Sequence, residues 1–138
     1  MRRNDCILDA NAVLRFLLRD NEEQFQKVKS VIRSKNCYIT MEVLAEVSYV
    51  LEGLYQVTRE DIVSNFRKLN NDVIILNADV LLRGLEIFDK TPKLDFVDCL
   101  MEAKKKPITF DEDFPELSPA MYKAFKSSII QRNRQKKA

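Results

Sequence analysis

Short apolar runs alternate with longer stretches of helical periodicity along this chain, and that alternation restricts the fold more than any other feature of the sequence. Runs at residues 6–9, 37–40, 73–76 and 107–110 have the length and branched or aromatic content of buried strands. Between them, Phe25, Val28, Val31 and Ile32 mark one amphipathic helix, opened by Asp20 or Asn21 with Glu22 and Glu23 in its first turn. Leu44, Val47, Leu51 and Leu54 mark a second. Gly53 stops it, and Thr58 with Glu60 and Asp61 starts a third carrying Ile62, Phe66 and Leu69, which predicts a helical hairpin. Leu81, Leu82, Leu85 and Phe88 stripe a fourth, broken at Thr91-Pro92, after which Asp95 can cap a fifth. Repeated βα units of this kind predict an α/β fold with a central parallel sheet flanked by helices.

The 138 residues, 46% of them hydrophobic, suffice for one domain with a substantial core, expected over residues 1–130. Six of the 23 basic residues (Lys123, Lys126, Arg132, Arg134, Lys136 and Lys137) fall in the last 16 positions, which hold none of the 21 acids. Tyr122, Phe125 and Ile129 give this region an apolar face, so it is expected to dock as a helix and fray over 131–138 as a basic tail suited to nucleic acid or an acidic partner. No leader-like or bilayer-length apolar run occurs, which points to a cytoplasmic protein with no membrane partner. Cys6, Cys37 and Cys99 lack metal-site spacing and read as buried core thiols.

The chain has no histidine. Ser-His-Asp and Cys-His catalysis, His-ligated zinc and histidine acid–base chemistry are therefore excluded, leaving mostly carboxylate chemistry. The carboxylates recur where such chemistry needs them. Ile7-Leu8-Asp9-Ala10-Asn11 puts an acid at the C-terminal end of a strand, the edge of an open α/β sheet where ligands bind. Asp9 and Asn11 read equally as caps of the following helix. Glu46 lies among Val43, Leu44, Val47 and Val50, where an acid is costly to bury unless paired or metal-bound. Glu42, one turn earlier, suits the helix dipole instead. Asp95, Asp98 and Glu102 share a helical face, with a cap plus two solvated acids as the plain alternative. Thr109-Phe110-Asp111-Glu112-Asp113 ends the last strand in acids, Asp111 first and Asp113 as either ligand or turn former. Oxygen-only donors of this kind suit Mg2+ or Mn2+.

The pieces Leu8-Asp9-Ala10-Asn11 with Arg15, Leu44-Ala45-Glu46-Val47 with Val50-Leu51-Glu52, Asp95-Phe96-Val97-Asp98-Cys99-Leu100 and Thr109-Phe110-Asp111 stand in the order seen in PIN-domain nucleases. The chain resembles that family over 7–114, and most of all the VapC-type ribonuclease toxins of toxin–antitoxin modules. The resemblance implies a PIN-like sandwich and a metal-dependent endoribonuclease in which Asp9, Glu46, Asp98 and Asp111 hold Mg2+ or Mn2+, activating water for attack on phosphorus. Asn11 and Thr109 correspond to the supporting polar residues. It also implies an RNA substrate, an antitoxin protein that blocks the groove, and a homodimer.

One departure stands out. Only Cys99 to Phe110 separates Asp98 from Asp111, and Lys104-Lys105-Lys106-Pro107 ends the helix early, so Asp113 is an expected substitute ligand. That shortening keeps open a catalytically weakened PIN domain serving as an RNA-binding or protein-interaction module. A phosphotransfer fold with an aspartyl nucleophile also places Asp after a strand, but it leaves Glu46 without a role.

Overall fold

In the computed structural model, which describes residues 4–105, the elements run β1 (Asp5–Ile7), α1 (Ala10–Leu18), α2 (Glu22–Ser34), β2 (Asn36–Ile39), α3 (Met41–Gly53), α4 (Arg59–Asp72), β3 (Ile74–Ile75), α5 (Ala78–Lys90) and α6 (Phe96–Lys105). The first four helices each open on a polar residue that supplies the acceptor their first turn lacks. Asp9 accepts from Ala12 N at 2.8 Å, Asn21 from Gln24 N at 3.1 Å, Thr40 from Val43 N at 3.3 Å and Thr58 from Asp61 N at 3.2 Å. Two of these caps, Asp9 and Thr40, come within two residues of a strand's end, so strand turns into helix with almost no loop.

The chain divides into two compact units, Met1–Ala78 and Asp79–Ala138. In the first, the strands form a parallel sheet in the order β1-β2-β3, with Cys6 opposite Cys37, Ile7 opposite Tyr38, and Tyr38 and Ile39 opposite Ile74 and Ile75. Parallel neighbours cannot be joined by a tight turn, and each pair here is connected by a two-helix crossover. The sheet is thus the mixed α/β arrangement that the strand and helix periodicities predict. Helix α1 packs on α2 and α3, α2 on β2, α3 on α4, and α4 on β3. Val13, Ile39, Leu44, Val47, Ile62 and Phe66 are sealed from solvent completely, and burying one such side chain contributes roughly 1.5–3 kcal/mol.

Three local readings of the sequence change. Strand β1 stops at Ile7, because Asp9 turns out of the ladder to cap α1, although Leu8 N still donates to Tyr38 O at 3.0 Å. Strand β3 shrinks to two residues, flanked by Val73, whose N–H still closes α4 on Leu69 O, and by Leu76, whose N–H donates to Ile39 O. Cys6 is half-buried, while Cys37 and Cys99 are buried as expected. The fourth strand at 107–110 and the C-terminal apolar face lie outside the described residues.

The corner between α1 and α2 is held by charge. Arg19 takes a left-handed backbone (φ 47°) to close α1, a conformation that costs a non-glycine residue about 1–2 kcal/mol. Its guanidinium donates to both Glu22 oxygens, at 2.8 and 2.9 Å, and lies 4.2 Å over the Phe25 ring, which stacks on Phe16. Hydrogen bonds from Arg19 and then Gln26 lower the Glu22 carboxyl to about 2.

In the second unit, α5 and α6 approach closely at Gly84. A Cβ there would stand 3.0 Å from Leu100 Cδ2 and 3.6 Å from Cys99 O. Phe88 and Phe96 meet edge to face at 5.7 Å on either side of the Thr91–Asp95 connection, with Leu94 N donating to Thr91 O.

Two outcomes follow. Glu22 has a depressed folded pKa, so its contribution to stability is present above the ordinary carboxylate range and disappears as pH falls toward 2. Thermal melts of Glu22→Gln and wild type should differ near pH 6 and coincide near pH 2. Gly84→Val should lower stability by about 1–3 kcal/mol through overpacking against Leu100, read as a lower urea midpoint at unchanged slope.

Candidate functional site

Asp9 emerges two residues after β1, at the C-terminal edge of the sheet, and its side chain is exposed. Oδ1 is engaged by Ala12 N; Oδ2 makes no hydrogen bond among the described residues. The cap therefore immobilises the carboxylate and leaves one oxygen available to a ligand. Capping and ligation, alternatives in the sequence, are compatible in the structure.

Thr40 occupies the equivalent place after β2, where it caps α3. Glu46 follows six residues on, about 9 Å along the helix axis at 1.5 Å per residue. It is only 6% exposed. The whole run from Leu44 to Ser48 is buried, so this part of α3 is enclosed on every side and has no polar face. Glu46 and Ser48 are the buried polar side chains among the described residues. A carboxylate so enclosed must be offset by hydrogen bonds or a cation, which separates Glu46 from half-buried Glu42 in the first turn.

In the second unit, Asp98 is half-buried and participates in a reciprocal cap. Asp95 Oδ1 accepts from Asp98 N at 2.8 Å, and Asp98 Oδ2 accepts from Asp95 N at 3.3 Å. Asp95 is thus the expected cap, but Asp98 is more than a solvated acid: it closes the first turn of α6. Glu102 is drawn toward Lys105 at 3.2 Å.

Asn11 is exposed on the first turn of α1, and its side chain makes no hydrogen bond among the described residues. Thr109, Asp111 and Asp113 lie outside the described residues. Among the described residues no three acids or cysteines gather into a metal-holding group.

Sequence spacing gave no role to Arg15, whose partners are brought to it by the fold. Its side chain is 18% exposed; one Nη donates to Asp20 at 2.7 Å and the other to the Tyr55 hydroxyl at 3.3 Å, across forty positions of sequence. It ties α1 to the connection between α3 and α4. A five-residue spacing to Asp20 is not a helical pair, so nothing in the sequence pattern marks the contact.

Residues 6–118 match the PIN domain family. The chain belongs to that family. PIN domains are generally nucleases, hydrolases that act on nucleic acid and use divalent metal ions. No curated protein matches the chain, and no solved structure does. In this PIN domain the donor chemistry of Asp9 and Glu46 fits a hard cation: both are carboxylates, one held by its cap with an oxygen to spare, the other buried within α3. No described helix is long and apolar enough to cross a membrane.

The cap and the carboxylate at Asp9 can be separated by substitution. Asp9→Ala should cost about 1 kcal/mol of stability, whereas Asp9→Asn, an equally good cap, should unfold within a few tenths of a kcal/mol of wild type. Urea denaturation without added metal measures both.

Proposed function

We propose that this PIN domain is a Mg2+- or Mn2+-dependent endoribonuclease acting in the cytoplasm, the toxin of a VapC-like toxin–antitoxin pair. Its nuclease unit is a single domain over residues 1–130. The observation that carries the reading is the family match, whose span of 6–118 encloses Asp9, Asn11, Glu46, Asp98, Thr109, Asp111 and Asp113.

Asp9, Glu46, Asp98 and Asp111 would hold the ion, with Asp113 in reserve. A bound Mg2+ or Mn2+ supplies Lewis-acid charge that makes water a better nucleophile and offsets charge developing on the phosphate. The protein's part is to arrange the donors. Ala12 N fixes the Asp9 carboxylate plane, Asp95 N restrains Asp98, and burial within α3 strengthens the field of Glu46. Asn11 and Thr109 would orient carboxylates or water. With no histidine in the chain, proton transfer falls to these acids and to solvent.

The short segment between Asp98 and Asp111 favours one second reading, a PIN domain that binds RNA or a protein without cutting. Incubation of the full chain with labelled single-stranded RNA separates the two. Cleavage should require Mg2+ or Mn2+, stop in EDTA and return with excess metal. Asp9→Asn should lower kcat/KM by more than about 100-fold, since outer-shell partners of a metal are alone worth about 10–100-fold. Activity undiminished in EDTA would sink the metal mechanism. RNA binding with no cleavage in either metal would support the second reading.

A further inference from the structure

Strands β1 and β2 place Cys6 and Cys37 directly opposite one another as partners in a parallel ladder. Partnered residues of parallel strands project from the same face, and neighbouring strands lie about 4.7–4.9 Å apart. That spacing falls inside the window of about 4.4–6.8 Å between Cα atoms that a disulfide requires. Both thiols are free. Cys37 is buried, with Sγ 3.6 Å from Val31 O, while Cys6 is half-buried and open to reagents. Burial pushes the Cys37 thiol up, and the neighbouring Cys6 reinforces the shift.

We propose that Cys6 and Cys37 form a reversible dithiol–disulfide couple that staples β1 to β2. The co-reactant is hydrogen peroxide. Cys6, the reachable thiol, attacks as its thiolate; a sulfur–oxygen bond forms, the oxygen–oxygen bond breaks, and water leaves with the released proton. Cys37, as its thiolate, then attacks the Cys6 sulfur. The disulfide forms, the sulfur–oxygen bond breaks, and hydroxide leaves and takes up the second proton as water. Two thiols are oxidised and one peroxide is reduced to two waters.

The geometry also explains why the bond reverses. Cβ atoms of parallel partners stand about as far apart as the strands, beyond the mean of about 3.8 Å in disulfides, so closure must draw the strands together. A bond under such strain is more easily reduced than a structural one. The staple sits three residues before Asp9 and three before Thr40, the caps at the ends of both strands. The couple is independent of the nuclease reading, because it needs only the two thiols.

The test is peptide mapping of the full chain. Reduced protein is exposed to hydrogen peroxide, quenched with an alkylating agent, digested and analysed by mass spectrometry. The expected product is a Cys6 peptide joined to a Cys37 peptide, in a chain lighter by two hydrogens and restored by dithiothreitol. Cys99→Ser should behave as wild type and Cys6→Ser should lose the link, each checked for folding by circular dichroism. Phenylarsine oxide, which bridges paired thiols, should bind wild type at one per chain and Cys6→Ser at least tenfold more weakly. Alkylation of both cysteines after peroxide treatment would overturn the proposal. So would over-oxidation of Cys6 beside an intact Cys37 thiol, or links formed only between chains or through Cys99.

Discussion

The hydrogen bond from Ala12 N to Asp9 Oδ1 is small in energy, yet the architecture around the candidate site depends on it. A parallel sheet forces every strand into a crossover, and a crossover that begins two residues after the strand must start its helix at once. The first turn of a helix has donors with no backbone acceptor. A short acidic or hydroxyl side chain at the turn supplies that acceptor, and Asp9 after β1 and Thr40 after β2 do so at the same edge of the sheet. The side chain that solves the folding problem at β1 is therefore also a carboxylate held rigidly where an α/β sheet binds ligands.

Helix α3 shows the opposite use of an acid. Asp9 is exposed and loses only freedom of orientation, whereas Glu46 is largely withdrawn from water. Glu46 lies within five consecutive buried residues, next to Val47 at 0% exposure. An acid kept there works against stability unless something offsets it. Its buried neighbours Leu44, Ala45 and Val47 are apolar, so Glu46 is a side chain that apolar packing does not account for. Glu46 has partners within the chain, and under the proposed function it would meet a bound cation as well.

Much of the first unit was legible because its signals are local. Asn21 before Glu22 and Glu23, and Thr58 before Glu60 and Asp61, announce helix starts through hydrogen bonds that span three residues, and both helices begin there. Asp95 was readable as a cap for the same reason, but the return bond from Asp98 was not, since a capping box is more often closed by Glu or Gln than by Asp. Strand ends were harder. Asp9 reads as the last residue of an apolar run, and only its cap geometry removes it from the ladder. Arg15 was invisible as a tie, because Tyr55 is set beside it by the packing of α1 against α3 and Asp20 stands at a spacing that is not a helical pair.

The sequence by itself determined the kinds of elements and the kind of chemistry. Periodicity is a property of neighbouring residues, and the lack of histidine limits catalysis whatever the fold. It also named Asp9 and Glu46, one by its place after a strand and the other by the apolar company it keeps. The tertiary structure decided what each residue does with its bonding capacity: that Asp9 spends one oxygen on α1 and keeps one, that Glu46 is enclosed on every side of its helix, and that Cys6 faces Cys37. Such outcomes depend on the register between strands thirty residues apart and on which helix covers which face. Both are set by the sum of many long-range contacts and by no local pattern.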